Sequence, residues 1–178
     1  MTVLVTARLE GTPMTADAVP LLAQILTDPR VARTLGGVPS PDALAGMGAR
    51  QAAHWTAHGF GSWLWRDRGS GAVVARGGLH HLLVGGRAEI EVEWVVDADR
   101  WGEGLASELG GAAVAHALGP LGLAELVALT LPANFASRRV MEKLGFAREE
   151  VHVCHADRDQ VLYRLRADAG AGPEGELA

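Results

Sequence analysis

Residues 88–131 carry the strongest constraint on this chain. The run AEIEVEWVV (88–96) alternates, with Glu89, Glu91 and Glu93 on one face and Ile90, Val92 and Trp94 on the other, which is the period of a strand. Gly102 and Gly104 break that pattern. Leu105, Leu109, Ala113 and Ala117 then recur at helical spacing over about 104–118, and ELVALTL (125–131) reads as a buried strand. Strand, glycine loop, helix and strand form a βαβ unit. Its two strands should lie parallel, joined by a right-handed crossover.

The flanking sequence fills in around that unit. Residues 3–10 read as a first strand. Thr15 or Asp17 can cap a helix whose apolar face holds Leu21, Leu22, Ile25 and Leu26, and Asp28-Pro29 stops it. A loop with Gly36-Gly37 follows. Ser40-Pro41 starts a second helix, with Leu44, Met47 and Trp55 on its buried side. Strands are expected at 63–67 and 72–80, with a turn at Gly85-Gly86 leading into 88–96. A helix over 134–144 ends at Gly145, and 151–155 and 160–166 close the domain as strands. The order β-α-α-β-β-β-α-β-α-β-β predicts an α/β (α+β) fold: a mixed sheet flanked by helices. One domain is expected over 1–166, with a disordered tail at 167–178.

Composition narrows the partners. The net charge is −5 and no long basic run occurs, so a broad nucleic-acid footprint is not expected. Cys154 is the only cysteine. That excludes an intrachain disulfide and cysteine-based zinc sites, and it fits a reducing cytoplasm. No metal is expected. The first ten residues lack the apolar core of a signal peptide, and no apolar run is long enough to span a membrane.

The segment VVDADRWGEGLASEL sets glycines at the mouth of a helix. Unpaired N–H groups and a partial positive charge make such a mouth an anion site. The alternative is a plain strand-to-helix turn, where glycine serves only the backbone. Ser107 stands where a dinucleotide loop would carry its third glycine, which disfavours a nicotinamide-dependent oxidoreductase.

Two runs, EVEWVVDADRWGEGLASEL and the later LTLPANFASRRVMEKLGF, resemble the acetyl-CoA motif and the second motif of the GNAT acetyltransferases. The form WGxGxA with NxxS…KLGF, and an early TARLEGTPMT segment, resemble the RimJ/RimL-like branch that acetylates ribosomal-protein N-termini. This resemblance implies a mostly antiparallel twisted sheet flanked by helices, with the parallel unit binding acetyl-CoA. It implies that Val95 and Val96 pair with the pantetheine arm where two strands splay apart. Trp101, Gly102, Glu103, Gly104, Leu105 and Ala106 would form the pyrophosphate loop, Asn134 would hold the pantetheine arm, and Ser137 would sit near the thioester sulfur. Met141 occupies the place where many such enzymes carry a proton-donating tyrosine, so Ser137, or a water it orders, is the expected donor. The branch often forms homodimers.

Amine acetylation needs an unprotonated amine. An α-amine, with a pKa of roughly 7.7–8.0, is easier to deprotonate than a lysine at roughly 10.4. Glu91 is the leading candidate base, because it matches the branch's strand glutamate. A solvated face of Glu89, Glu91 and Glu93 is the plainer alternative. His80 or His81 could serve instead, but alternation puts only one of them on the site face. Asn134 could be simply an N-cap, Trp63 and Trp65 could be core, and Cys154 has no identifiable activating partner. The acceptor could be a protein or peptide N-terminus or a small amine. An acyl-CoA sensor with little catalysis is a third reading.

Overall fold

A computed structural model describes residues 2–151, 153–155 and 158–167. The rest of the tail expected to be disordered lies outside these residues. Among the described residues nine strands form the sheet, in the order β1 (Leu4–Val5), β2 (Leu9–Pro13), β3 (Ser62–Asp67), β4 (Val73–Val84), β5 (Arg87–Val96), β6 (Glu125–Thr130), β9 (Arg158–Arg166) and β7 (Ala147–Arg148), with β8 (Val153–His155) pairing with β9 beside it. The first pair is a hairpin, β1 (Leu4–Val5) with β2 (Leu9–Pro13). The single strand expected at 3–10 is therefore two. The cause is local: Thr6 N–H donates to the Leu9 carbonyl, and Leu9 N–H returns a bond to the Thr6 hydroxyl, which closes a turn.

Helix α1 (Val19–Thr27) buries Leu22, Ile25 and Leu26 but leaves Leu21 47% exposed. Neither Thr15 nor Asp17 caps α1. Thr15 precedes a single 3₁₀ turn (Ala16–Ala18) without a capping bond, and Ala18 is the α1 cap. Asp28-Pro29 ends α1 as expected, but it also begins another helix, α2 (Pro29–Leu35), which sequence reasoning missed. Asp28 accepts a hydrogen bond from Arg30 N–H at 2.7 Å, and Pro29 sits at the first helical position. Helix α3 (Pro41–His58) opens with the Ser40 cap and carries Trp55 into the core.

Strands β3 (Ser62–Asp67), β4 (Val73–Val84) and β5 (Arg87–Val96) form an antiparallel meander. Gly85 and Gly86, at φ 56° and 82°, make the two-residue turn between β4 and β5. Helix α4 (Leu105–Leu118) then crosses to β6 (Glu125–Thr130), which lies parallel to β5. Helix α5 (Phe135–Lys143), the short β7 (Ala147–Arg148), β8 (Val153–His155) and β9 (Arg158–Arg166) complete the fold. The predicted mixed, mostly antiparallel sheet with one parallel unit is what the structure shows.

The sheet has two covered faces. On one, Val92 and Val96 pack with Leu105 and Leu109 of α4 and with Met141 of α5; Trp63 and Trp65 join this core. On the other, Val95 packs with Leu22 and Leu26 of α1 and Val31 of α2. Glu91 and Glu93 share this second face with Val95, by alternation. No helix among the described residues is long and apolar enough to cross a membrane.

Candidate active site

The parallel pair β5–β6 is joined at a single register point, Glu91 opposite Val127. Beyond it the strands part. Asp97 N–H donates to the Val74 carbonyl, and the β4–β5 ladder runs without a shift. Antiparallel alternation therefore turns the backbone groups of Trp94 and Val96 away from β4 and towards the gap, while those of Val95 turn towards β4. The carbonyl of Val96 already accepts the Trp101 indole N–H at 2.9 Å. Val95 reaches the gap through its side chain.

A groove of about 510 Å³ follows this parting. Glu91, Val95 and Val96 line its start; Trp101, Gly102, Gly104, Leu105 and Ala106 line one flank; Asn134 and Ser137 line the other. Of the residues expected to bind the cofactor, only Glu103 stays outside the lining, and of the other candidates His80, His81 and Glu89 stay outside it as well. The Glu103 carboxylate binds Arg100 and its carbonyl accepts from Arg8. Cys154 is exposed and does not line the groove.

The mouth of α4 is left without a side-chain cap. Helices α2, α3 and α5 receive side-chain caps from Asp28, Ser40 and Asn134, whereas α1 and α4 have none, and of these two only α4 opens on the groove. Its first intrahelical bond runs from Glu108 N–H to the Gly104 carbonyl, so the preceding N–H groups have no helical partner. Gly102 and Gly104 sit at φ 84° and 83°, a left-handed conformation that disfavours side chains. A Cβ on Gly102 would meet nothing within 4 Å, so the approach to the backbone is open. Arg139 and Lys143 line the α5 side of the same groove. Sequence reasoning missed this pair, although their four-residue spacing on an expected helix was a usable signal.

Asn134 is an N-cap, as the plainer reading held: its carbonyl oxygen accepts from Ser137 N–H at 3.2 Å. It also lines the groove, so both readings hold. Met141 lines the groove and is buried. Tyr163 is buried elsewhere, between Arg138 and Glu142, and does not line the groove.

The three strand glutamates do not form a solvated face. Glu89 is buried and held bidentately by Arg164 at 2.8 and 3.0 Å. Glu91 accepts His80 Nε2 at 2.9 Å and Leu129 N–H at 3.3 Å. Glu93 pairs with Arg76 and accepts the Ser62 hydroxyl at 2.7 Å. Burial would raise the Glu93 carboxyl, but Arg76, His80 and Ser62 outweigh it and hold the group down at about 2. His80 is the histidine on the site face, opposite Glu91 in the ladder. Burial would lower its pKa; the hydrogen bond to Glu91 and the nearby carboxylates push it up to about 8.

A histidine raised from 6.5 to about 8 stabilises the fold fully below about pH 6.5, and the contribution is lost as pH rises through about 8. The shift corresponds to about 2 kcal/mol. His80→Phe should therefore remove that slope: the stability gap between wild type and variant should narrow by about 2 kcal/mol between about pH 6 and about pH 9. Urea unfolding at both pH values checks this, and parallel pH profiles for the two proteins would refute it.

Residues 8–147 match the family model described as the acetyltransferase (GNAT) domain. This chain belongs to the GNAT acetyltransferase family. Its fold is similar to an acetyltransferase from Agrobacterium tumefaciens str. C58, with a TM-score of 0.82 and 24% identity over 94% of this chain and 95% of that one. A GNAT-family acetyltransferase from Bordetella pertussis matches at 26% identity and a TM-score of 0.78, over 94% and 100% of the two chains. RimL, a ribosomal L7/L12 α-N-protein acetyltransferase in complex with coenzyme A, matches at 15% identity and a TM-score of 0.73, over 95% and 100%. In GNAT terms, the parting of β5 and β6 and the uncapped α4 form one continuous groove.

Proposed function

We propose that this acetyltransferase moves the acetyl group of acetyl-CoA to a primary α-amine, such as a peptide or protein N-terminus, by direct attack. The observation that carries the reading is the uncapped α4 mouth opening on the parted strands. A pyrophosphate fits the free N–H groups of Leu105, Ala106 and Ser107, with Arg139 and Lys143 on the opposite flank. The pantetheine arm fits the gap, against the backbone of Trp94 and Val96 and the side chain of Asn134.

Acetyl-CoA supplies an acetyl group activated as a thioester. The acceptor enters from the α2 side, where Val31, Thr34 and Leu35 line the groove. Glu91 takes the proton that the amine loses as its nitrogen bonds to the acetyl carbon. Backbone N–H groups of β5 at the gap stabilise the charge that develops on the acetyl oxygen. As the carbon–sulfur bond breaks, Ser137 donates a proton to the sulfur. Held together, the two substrates need no covalent enzyme intermediate; positioning alone can supply roughly 7–11 kcal/mol.

Charge balance favours a singly charged acceptor over a polyamine. Glu93 is offset by Arg76, and Glu91 by a His80 that stays largely protonated at neutral pH. The acceptor side therefore presents little net negative charge to a polycation. The RimL-like form of the two motifs points the same way, and the reading places the enzyme in the cytoplasm. Incubating the protein with acetyl-CoA and a panel of peptides and polyamines, while following thiol release, tests this. Turnover is expected with peptide α-amines; turnover confined to polyamines, or none at all, would overturn it.

A further inference from the structure

Outside the groove, on the α4 face of the sheet, three histidines converge. His54 and His58 lie one turn apart at the end of α3, and His81 projects from β4. Their ligating nitrogens all lie within 4.8 Å of one another. His54 Nε2 and His81 Nδ1 are 3.2 Å apart. Two imidazole nitrogens on a tetrahedral zinc, each roughly 2.0–2.1 Å from the ion, would be separated by roughly 3.3 Å.

The tautomer of His54 is already set for ligation. Its Nδ1 lies 2.9 Å from the Phe60 carbonyl, an acceptor only, so Nδ1 carries the proton. The Nε2 lone pair then faces the cluster; it accepts the backbone N–H of His81 at 3.3 Å, a bond that an ion would replace. A backbone carbonyl holding the far nitrogen is the usual support of a ligating histidine. Phe60, 8% exposed, packs against the three rings with centroids 5.3, 6.0 and 5.3 Å away and gives them an apolar floor. Gly59, at φ 74°, ends α3 and turns the chain so that Phe60 lies beneath it. The negative end of the α3 dipole also favours a cation here.

We propose that His54, His58 and His81 form a divalent transition-metal site of the zinc class. His54 binds through Nε2. His81 binds through Nδ1, its ring proton moving to Nε2. His58 swings in from solvent, and water fills the fourth position. The ion would fasten the end of α3 to β4, one residue from His80, outside the acetyl-transfer site.

Co²⁺ is the probe, added to metal-free full-length protein. Visible d–d bands of a nitrogen-ligated ion, saturating at one equivalent, are expected. Competition by Zn²⁺ should abolish them. His58→Ala removes an exposed side chain and should fold normally by circular dichroism. It should weaken binding by at least the roughly 10–100-fold that loss of an outer-shell partner costs. Absence of the bands in the wild type, or wild-type affinity in a His54→Ala, His58→Ala, His81→Ala variant, would overturn the proposal; the latter would place the ion on other histidines.

Discussion

Glu91→Gln should lower kcat/KM for amine acetylation by roughly 10²–10⁴-fold, the range that a positioned general base contributes. The substitution keeps the side chain's shape and one oxygen acceptor for the Leu129 N–H, so the parting of β5 and β6 should survive. What is lost is the ability to take a proton. Coenzyme A affinity, measured by calorimetry, should therefore change little, because Glu91 lies at the start of the gap and away from the α4 mouth. A variant with unchanged kcat/KM would remove Glu91 from the chemistry and leave it the task of holding Leu129 and His80.

Arg164→Met should have the largest effect on stability. Arg164 is 5% exposed and holds Glu89 through two nitrogens, Glu149 at 2.6 Å and Glu125 at 3.3 Å. Arg87 and Arg166 add outer contacts at 3.3 Å to Glu89 and 3.4 Å to Glu149. Removing the central cation leaves the Glu89 carboxylate buried without its bidentate partner. Breaking a buried pair from one side costs roughly 3–5 kcal/mol. For a domain of this size that is a fall in Tm of roughly 6–20 °C. Thermal and urea unfolding check the single variant. The double variant Glu89→Gln, Arg164→Met should recover much of the loss, because no buried charge is left orphaned; Glu125 and Glu149 are partly exposed and keep Arg166. A loss below about 1 kcal/mol for Arg164→Met would show that Arg87 suffices to hold Glu89.

The βαβ unit was readable because each of its parts has a local cause. Alternation marks β5, the glycines mark the break, and the leucine and alanine spacing marks α4. Nine of the ten residues expected to bind the cofactor line the groove, and so does Glu91. The elements that escaped notice are short. Helix α2 has seven residues, too few for a clear period, and its start shares Asp28-Pro29 with the end of α1. The hairpin β1–β2 turns on the Thr6 side chain, which no pattern rule flags. The alternative of a solvated glutamate face fails for a different reason. Alternation says which residues share a face but not what covers it. The Arg164 that pairs with Glu89 lies 75 residues away, and the Arg76 that pairs with Glu93 lies 17 residues away. Only the folded sheet brings them together.

Because β5 and β6 meet at one rung, the sheet is effectively two panels, β1–β5 and β6–β9, with a seam between them. Past that rung, the backbone of Trp94 and the N–H of Val96 turn into the seam, in the middle of a sheet rather than at its rim. A substrate arm that carries amides of its own can complete the missing rungs and serve, while it is bound, as a temporary strand. Binding would then stiffen the protein where chemistry needs the two panels held at a fixed separation, and release would return the seam to water.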